Sequence, residues 1–254
     1  MHGIPVSQVD ALRAAGPISR PALPAVIEQL ANPQRDVRMS ALALIGSHGR
    51  TAADAVPALT KLLETADPEM TAVVLQTLGQ LESAAQPAVD QLVVFLDHED
   101  VKLRAAAFQT LVNVDMDVEQ LRPFWAKALH DSDSDVRRQA LRAVPRWGRR
   151  AVILLPDLID AAGQLENVSR TLQRFEGYEI TAQVVPALIE RLRHDHDAVR
   201  LWAVKFLGAA GPTAKDALPQ LQSMLDDPNE ELRTAVATAI GLINGAKSTG
   251  PARQ

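Results

Sequence analysis

Prolines recur along this chain at a nearly constant interval. Pro24 and Pro57 are 33 residues apart, as are Pro123 and Pro156, and Pro186 and Pro219. From Pro57 to Pro123 the gap is 66, with Asp90 at its midpoint, and only the step from Pro156 to Pro186 is short, at 30. Longer strings keep the same ruler. "AAGPISRPALP" at 14–24 and "AAGPTAKDALP" at 209–219 agree at seven of eleven positions across 195 residues, six periods of 33 less three. A period of this length means that one supersecondary unit is written several times. Such a unit cannot bury its apolar face alone and must stack on its neighbours.

A second marker rides on the ruler. Val37, Leu103, Val136, Val199 and Leu232, each followed by Arg, open the strings "VRMSALALIG", "LRAAAFQTLV", "VRRQALRAVP", "VRLWAVKFLG" and "LRTAVATAIG", and Met70 opens the degenerate "MTAVVLQTLG". The first, fifth, eighth and ninth positions are mostly apolar, which is one face of a helix. The segment before each, such as "PALTKLLETA", predicts another helix with proline in its first turn, where a missing N–H costs nothing. Between them lie acidic turns such as "DHED" and "DSDSD", whose aspartates suit the N-cap of the second helix. Gly46, Gly79, Gly208 and Gly241 are placed to end it.

The expected unit is therefore helix, acidic turn, helix, loop, with seven units starting at Pro24, Pro57, Asp90, Pro123, Pro156, Pro186 and Pro219. Residues 5–15 read as the second half of a further unit, so 1–20 is expected to be a half repeat or cap, 21–245 a single solenoid domain, and 246–254 a flexible tail. Composition agrees: apolar residues are 47% of the chain but aromatics only 4%, and small apolar side chains suit closely spaced helices. Net charge is −5, which excludes a basic surface along the whole chain. The absence of cysteine excludes disulfides and thiolate chemistry. No run of eighteen apolar residues and no secretory signal is visible, so no membrane contact and a cytoplasmic location are expected.

This pattern resembles the HEAT repeat, in particular the short subtype named after phycobilisome (PBS) lyases, which "VPALTKLL" and "VPALIERLRHDHDAVRLWAVKFLGAAG" follow closely. The resemblance implies an all-α, right-handed α-solenoid of about seven armadillo-like helix pairs with second helices lining a concave side. It also implies that Arg38, Arg104, Arg137, Arg200 and Arg233, with turn aspartates, form structural ladders between units. The family includes scaffolds, transport receptors, chromophore lyases, a hydroxylase and DNA glycosylases, so function must be read from a site.

The sharpest candidate is residues 136–156, which hold Arg137, Arg138, Arg142, Arg146, Arg149 and Arg150 and no acidic residue. Arg138, Arg142 and Arg149 step by four and seven, although Pro145 is placed to end or bend the helix; Arg170 and Arg174 are expected on equivalent faces of the next unit. Together they would form a basic ridge for carboxylates or phosphates, which guanidinium groups grip two-pronged. Charge runs of this kind often do no more than solvate a helix. All nine aromatics lie between Phe95 and Phe206. Phe108 and Phe206 fall on apolar faces, whereas Trp125, Trp147, Tyr178 and Trp202 are less clearly buried, and Trp147 and Trp202 are the candidate anchors for a partner. Unit five, residues 156–185, lacks both the acidic turn and the Val-Arg pair.

Metal and catalytic readings are poorer. "DSDSD" lacks the glycine of a calcium loop and has Arg142 where a bidentate Glu belongs; "HDHD" at 194–197 lacks a third ligand. The single His-Glu pair, His98-Glu99, does not make the di-iron centre of the hydroxylase. The expected function is thus a non-enzymatic scaffold or adaptor, without metal or cofactor, binding a protein partner with acidic groups through Arg138, Arg142, Arg149, Arg170, Arg174, Trp147 and Trp202. The alternatives are a nucleic-acid-binding protein like the alkylpurine DNA glycosylases, and a lyase-like chromophore chaperone.

Overall fold

The computed structural model describes residues 22–165 and 167–245; the half repeat expected over 1–20 and the tail expected over 246–254 lie outside the described residues. Among those residues the regular structure is entirely helical, and the α-helices pair along the chain as the 33-residue ruler predicts. The chain divides into two compact units, Met1–Ala140 and Leu141–Gln254.

The first unit contains α1 (Leu23–Glu28) with α2 (Arg35–Ser47), α3 (Val56–Leu63) with α4 (Pro68–Gln80), α5 (Val89–Val94) with α6 (Val101–Asn113), and α7 (Val118–Leu129). Helix α8 (Ser134–Ala143) starts in this unit and ends just past its boundary. The second unit contains α9 (Leu155–Ala161) with α10 (Val168–Gln173), α11 (Val185–Arg191) with α12 (Asp197–Ala210), and α13 (Leu218–Ser223) with α14 (Glu230–Ile243). Leucine, valine and alanine fill both cores; Phe108 and Trp125 are fully buried in the first, with the Trp125 Nε1–H donating to the Ala140 carbonyl at 2.8 Å. In the second, Phe175 meets Phe206 and Tyr178 edge-on, and Trp202 stacks on Phe206.

Proline sits in the first turn of α1, α3, α9, α11 and α13, as expected. Pro123 does not. It lies inside α7, because Asp117 accepts from the Glu119 N–H and starts that helix five residues early. The Asp caps appear at Asp67, Asp100 and Asp133, which accept from Met70, Lys102 and Asp135 N–H groups at 2.8–2.9 Å. At α12 and α14 the capping acceptors are His196 and Asn229 instead.

The glycine expectation needs correction. Gly46, Gly79, Gly208 and Gly241 lie inside the last turns of α2, α4, α12 and α14 rather than beyond them. The chain turns three residues later. Gly49, Glu82, Asp115 and Gly148, at successive marks of the same period, and Gly211, two repeats further on, all have φ between 51° and 61°. What Gly46, Gly79 and Gly208 provide is close approach. A Cβ on Gly208 would stand 3.1 Å from both Cα and Cβ of Ala239 in α14. A Cβ on Gly79 would lie 3.4 Å from Thr110 Cα in α6, and one on Gly46 would displace the Gln80 amide from α4.

Candidate functional site

The arginines of the Val-Arg pairs are structural, and the geometry says how. Each donates from Nη1 to the carbonyls six and five residues before it, across the acidic turn. Arg38 holds Asn32 and Pro33, Arg104 holds His98 and Glu99, Arg137 holds Asp131 and Ser132, Arg200 holds His194 and Asp195, and Arg233 holds Asp227 and Pro228, all at 2.7–3.3 Å. These carbonyls lie where the first helix has ended and the second has not begun, so they have no helical partner. Arg104 continues to the next repeat, gripping Asp131 with Nε at 2.8 Å and Nη2 at 2.9 Å. Burial alone would raise the Asp131 carboxyl, but the Arg104 hydrogen bond, the Asp133 N–H and the neighbouring arginine charges outweigh it and hold it below its ordinary value. The same bond raises the Arg104 guanidinium. In the second unit the Asn229 amide, 2.6 Å from Asp197, lowers that carboxyl, with help from Arg200.

These contacts account for the acidic turns. In "DSDSD", Asp131 is held by Arg104 and Asp133 is the cap of α8. The His98 Nδ1 accepts from the Asp100 N–H, and the His194 Nδ1 from the His196 N–H. Among the described residues no group of three or more His, Cys, Asp or Glu is arranged to hold a metal ion.

The basic segment is laid out differently from its sequence spacing. Arg138 and Arg142 are exposed and one turn apart on α8. The helix ends at Ala143, the chain tightens to a 3-10 segment over Val144–Leu154, and Gly148 turns it at φ 51° and ψ −130°. Arg149 therefore does not continue the stripe of Arg138 and Arg142; Pro145 and Gly148 redirect the backbone before it. Arg138 pairs with Asp135 on its own helix. Arg142, Arg149, Arg170 and Arg174 are exposed and have no anionic partner among the described residues, Arg170 lying on α10 and Arg174 at its C-cap. Elsewhere Arg35, Arg50, Arg104, Arg191 and Arg200 are all ion-paired.

The two tryptophans singled out as anchors belong to the core of the second unit. Trp147 is 9% exposed and Trp202 is 8%. The visible part of Trp202 lies under the Lys205 ammonium, 5.1 Å from the ring centroid. Their burial leaves little ring for a partner, and their main work is packing.

Clefts lie between successive second helices. One of about 440 Å³ runs between α2 and α4, and one of about 500 Å³ between α4 and α6; both are lined by Val73, Gln76 and Gln80. Gln109, Asn113 and Gln139 also line the second. In the second unit a cleft of about 360 Å³ between α12 and α14 is lined by Lys205, Glu231, Thr234, Thr238 and Leu242 among others. The amide-lined clefts were missed from sequence, although Gln76 with Gln109, and Gln80 with Asn113, repeat at 33.

The family profile of HEAT repeats matches residues 23–112 and 181–251, well over half of the chain. This chain belongs to the HEAT-repeat family. No curated protein matches it. Among solved structures, this HEAT protein is similar to an engineered protein from the Northeast Structural Genomics Consortium, at 19% identity over 95% of this chain and 71% of that one, with a TM-score of 0.51. It is also similar to importin beta crystallised in an ammonium sulfate condition, at 16% identity over 90% of this chain and 36% of that one, with a TM-score of 0.54. The chain thus spans about a third of importin beta. At these identities the likeness shows the fold, an all-α solenoid of HEAT helix pairs. Among the described residues no helix is long and apolar enough to cross a membrane. HEAT solenoids of this kind are generally scaffolds whose extended surfaces, rather than a reaction centre, carry function.

Proposed function

We propose that this HEAT protein is a non-enzymatic scaffold or adaptor, of the short PBS-lyase-type HEAT subtype, that binds an acidic segment of a protein partner through Arg142, Arg149, Arg170 and Arg174. One observation carries the reading: these four guanidinium groups are exposed without an anionic partner among the described residues, in a chain of net charge −5 where Arg35, Arg50, Arg104, Arg191 and Arg200 are ion-paired. Arg138 is bound to Asp135 on its own helix and is left out of the proposed site. Trp147 and Trp202 are buried in the core, so they are not proposed as anchors. Guanidinium forks suit carboxylates in bidentate geometry, and an excess of negative charge elsewhere on the chain favours one orientation of an acidic partner.

Fluorescence anisotropy with a labelled glutamate-rich peptide tests this. The Arg142→Glu/Arg174→Glu double variant should bind at least tenfold more weakly, about 1.4 kcal/mol. Equal affinity of wild type and variant places the site elsewhere. A labelled oligonucleotide run in parallel is expected to bind more weakly than the peptide; tighter oligonucleotide binding with a steep salt dependence would replace the protein partner with nucleic acid.

A further inference from the structure

The Arg104–Asp131 pair has a counterpart earlier in the first unit that lacks its acid. Arg38 and Thr65 stand 66 residues before Arg104 and Asp131, at the same positions of their repeats and with the same separation of 27. Arg104 uses Nη1 on its own turn and grips Asp131 with Nε at 2.8 Å and Nη2 at 2.9 Å. Arg38 makes the first set of bonds, to the Asn32 and Pro33 carbonyls at 2.8 and 3.0 Å, but its Nε and Nη2 have no hydrogen-bond partner among the described residues. In the second unit Arg200 again meets an acid 27 residues on, Asp227, at 3.6 Å. In the repeat between Arg38 and Arg104 both partners change together, to Thr71 and His98. At Arg38 the guanidinium is kept and the acid is gone.

A cavity of about 300 Å³ lies at this step, between the turns that precede α2 and α4, and Arg38 and Thr65 both line it. Leu30, Leu62 and Met70 give it an apolar side, of which Leu30 and Met70 are buried. Apart from Thr65, its other polar side chains are engaged. Asn32 accepts from the Gln34 N–H at 2.9 Å and donates to Gln29 at 3.0 Å. Asp67 accepts from the Met70 N–H at 2.9 Å and from Arg35 at 2.6 Å. The half-buried Arg38 fork is therefore the group in the cavity with charge-assisted bonds still to make.

A guanidinium edge presents two parallel N–H groups and matches one carboxylate, as Asp131 does on Arg104. Asp67 limits the charge the cavity accepts. A phosphate dianion on Arg38 would also face that carboxylate, whereas a single carboxylate supplies the one missing ion pair with less repulsion. The apolar side suits a hydrocarbon stem. A volume of about 300 Å³ is at the small end for ligand sites, so the stem is short.

We propose that this cavity binds a small monocarboxylic acid with a short apolar stem, whose carboxylate takes the place on Arg38 that Asp131 takes on Arg104. The site is separate from the arginine-rich surface and does not rest on its assignment.

Titration with sodium butyrate tests this, followed by heteronuclear NMR of the Arg38 Nε–H and of the Thr65 and Ala66 backbone amides, with sodium chloride holding the ionic strength constant. These resonances should shift and saturate. Butyramide, which has the same shape without the charge, and inorganic phosphate should each bind at least about tenfold more weakly than butyrate. Thr65→Asp restores the acid from within the chain. It should move the Arg38 Nε–H resonance with no ligand present and weaken butyrate binding at least about tenfold. Thr65→Ser should stay within about threefold of wild type. Arg142→Glu/Arg174→Glu should also leave butyrate binding unchanged, so failure of one site is distinguishable from failure of the other. Shifts that do not saturate, butyramide or phosphate binding as tightly as butyrate, or a Thr65→Asp chain that binds butyrate like wild type each overturn the proposal.

Discussion

The pairing of Arg104 with Asp131 shows how much a single repeat position can carry. The guanidinium closes its own turn through the His98 and Glu99 carbonyls and ties itself to the next repeat through both oxygens of Asp131. The two side chains are only 14% and 9% exposed. Removing one leaves the other buried and uncompensated, so Asp131→Asn should cost about 2 kcal/mol at neutral pH. The pH dependence has a definite sign. A carboxyl held below its ordinary value in the folded chain contributes stability that is present above the unfolded value, near 3.8, and is lost as pH falls through the folded value. Urea unfolding of wild type and Asp131→Asn at neutral pH and at about pH 2.5 should therefore show the gap between them closing on acidification. A gap that stays constant would mean that the carboxylate charge is not what Arg104 holds. Asp67 is lowered as well, by the Met70 N–H at its helix cap and by Arg35, and adds to the same acid slope.

At the scale of the elements, the prolines and Val-Arg pairs made helix pairing legible because they obey a strict period. Glycine was misread because two jobs lie three residues apart. The turn after each second helix has a residue of positive φ, but at two of the seven such residues described it is Glu82 or Asp115 rather than glycine, which conceals the period. The glycines that do stand out, Gly79 and Gly208, mark where one second helix presses on the next. Helix α7 was misplaced because Pro123 kept the ruler while Asp117, off the ruler, supplied the cap. Close approach has a measurable consequence. Gly208→Val should destabilise the protein by about 2 kcal/mol, since its branched side chain must push against Ala239 backbone in α14 and the overpacked interface cannot yield without a helix shift. A lower melting temperature is the expected readout. An unchanged melt would show that α12 and α14 separate freely and that the glycine is incidental.

For the molecule as a whole, period reports the fold and exceptions report the surface. Arg142 and Gln76 occupy the same position of their repeats, yet one belongs to a charged surface and the other to an amide-lined cleft. A pattern search finds the position and cannot choose between the chemistries. Burial is equally hard to read at repeat level: Trp202 and Gln139 share a position, but the indole stacks on Phe206 and sinks into the core. Truncating it should thus act on stability first. Trp202→Ala is expected to cost about 3–5 kcal/mol. In a stack of repeats, stability is carried by each repeat and its nearest neighbours, so this loss should stay local. Native-state hydrogen exchange should show protection falling in α10–α14, around Phe175 and Phe206, while the amides of α4 and α6 keep theirs. Equal loss of protection in α4 and α6 would instead mean that the two compact units unfold as one, and that the core around Trp202 supports the whole chain.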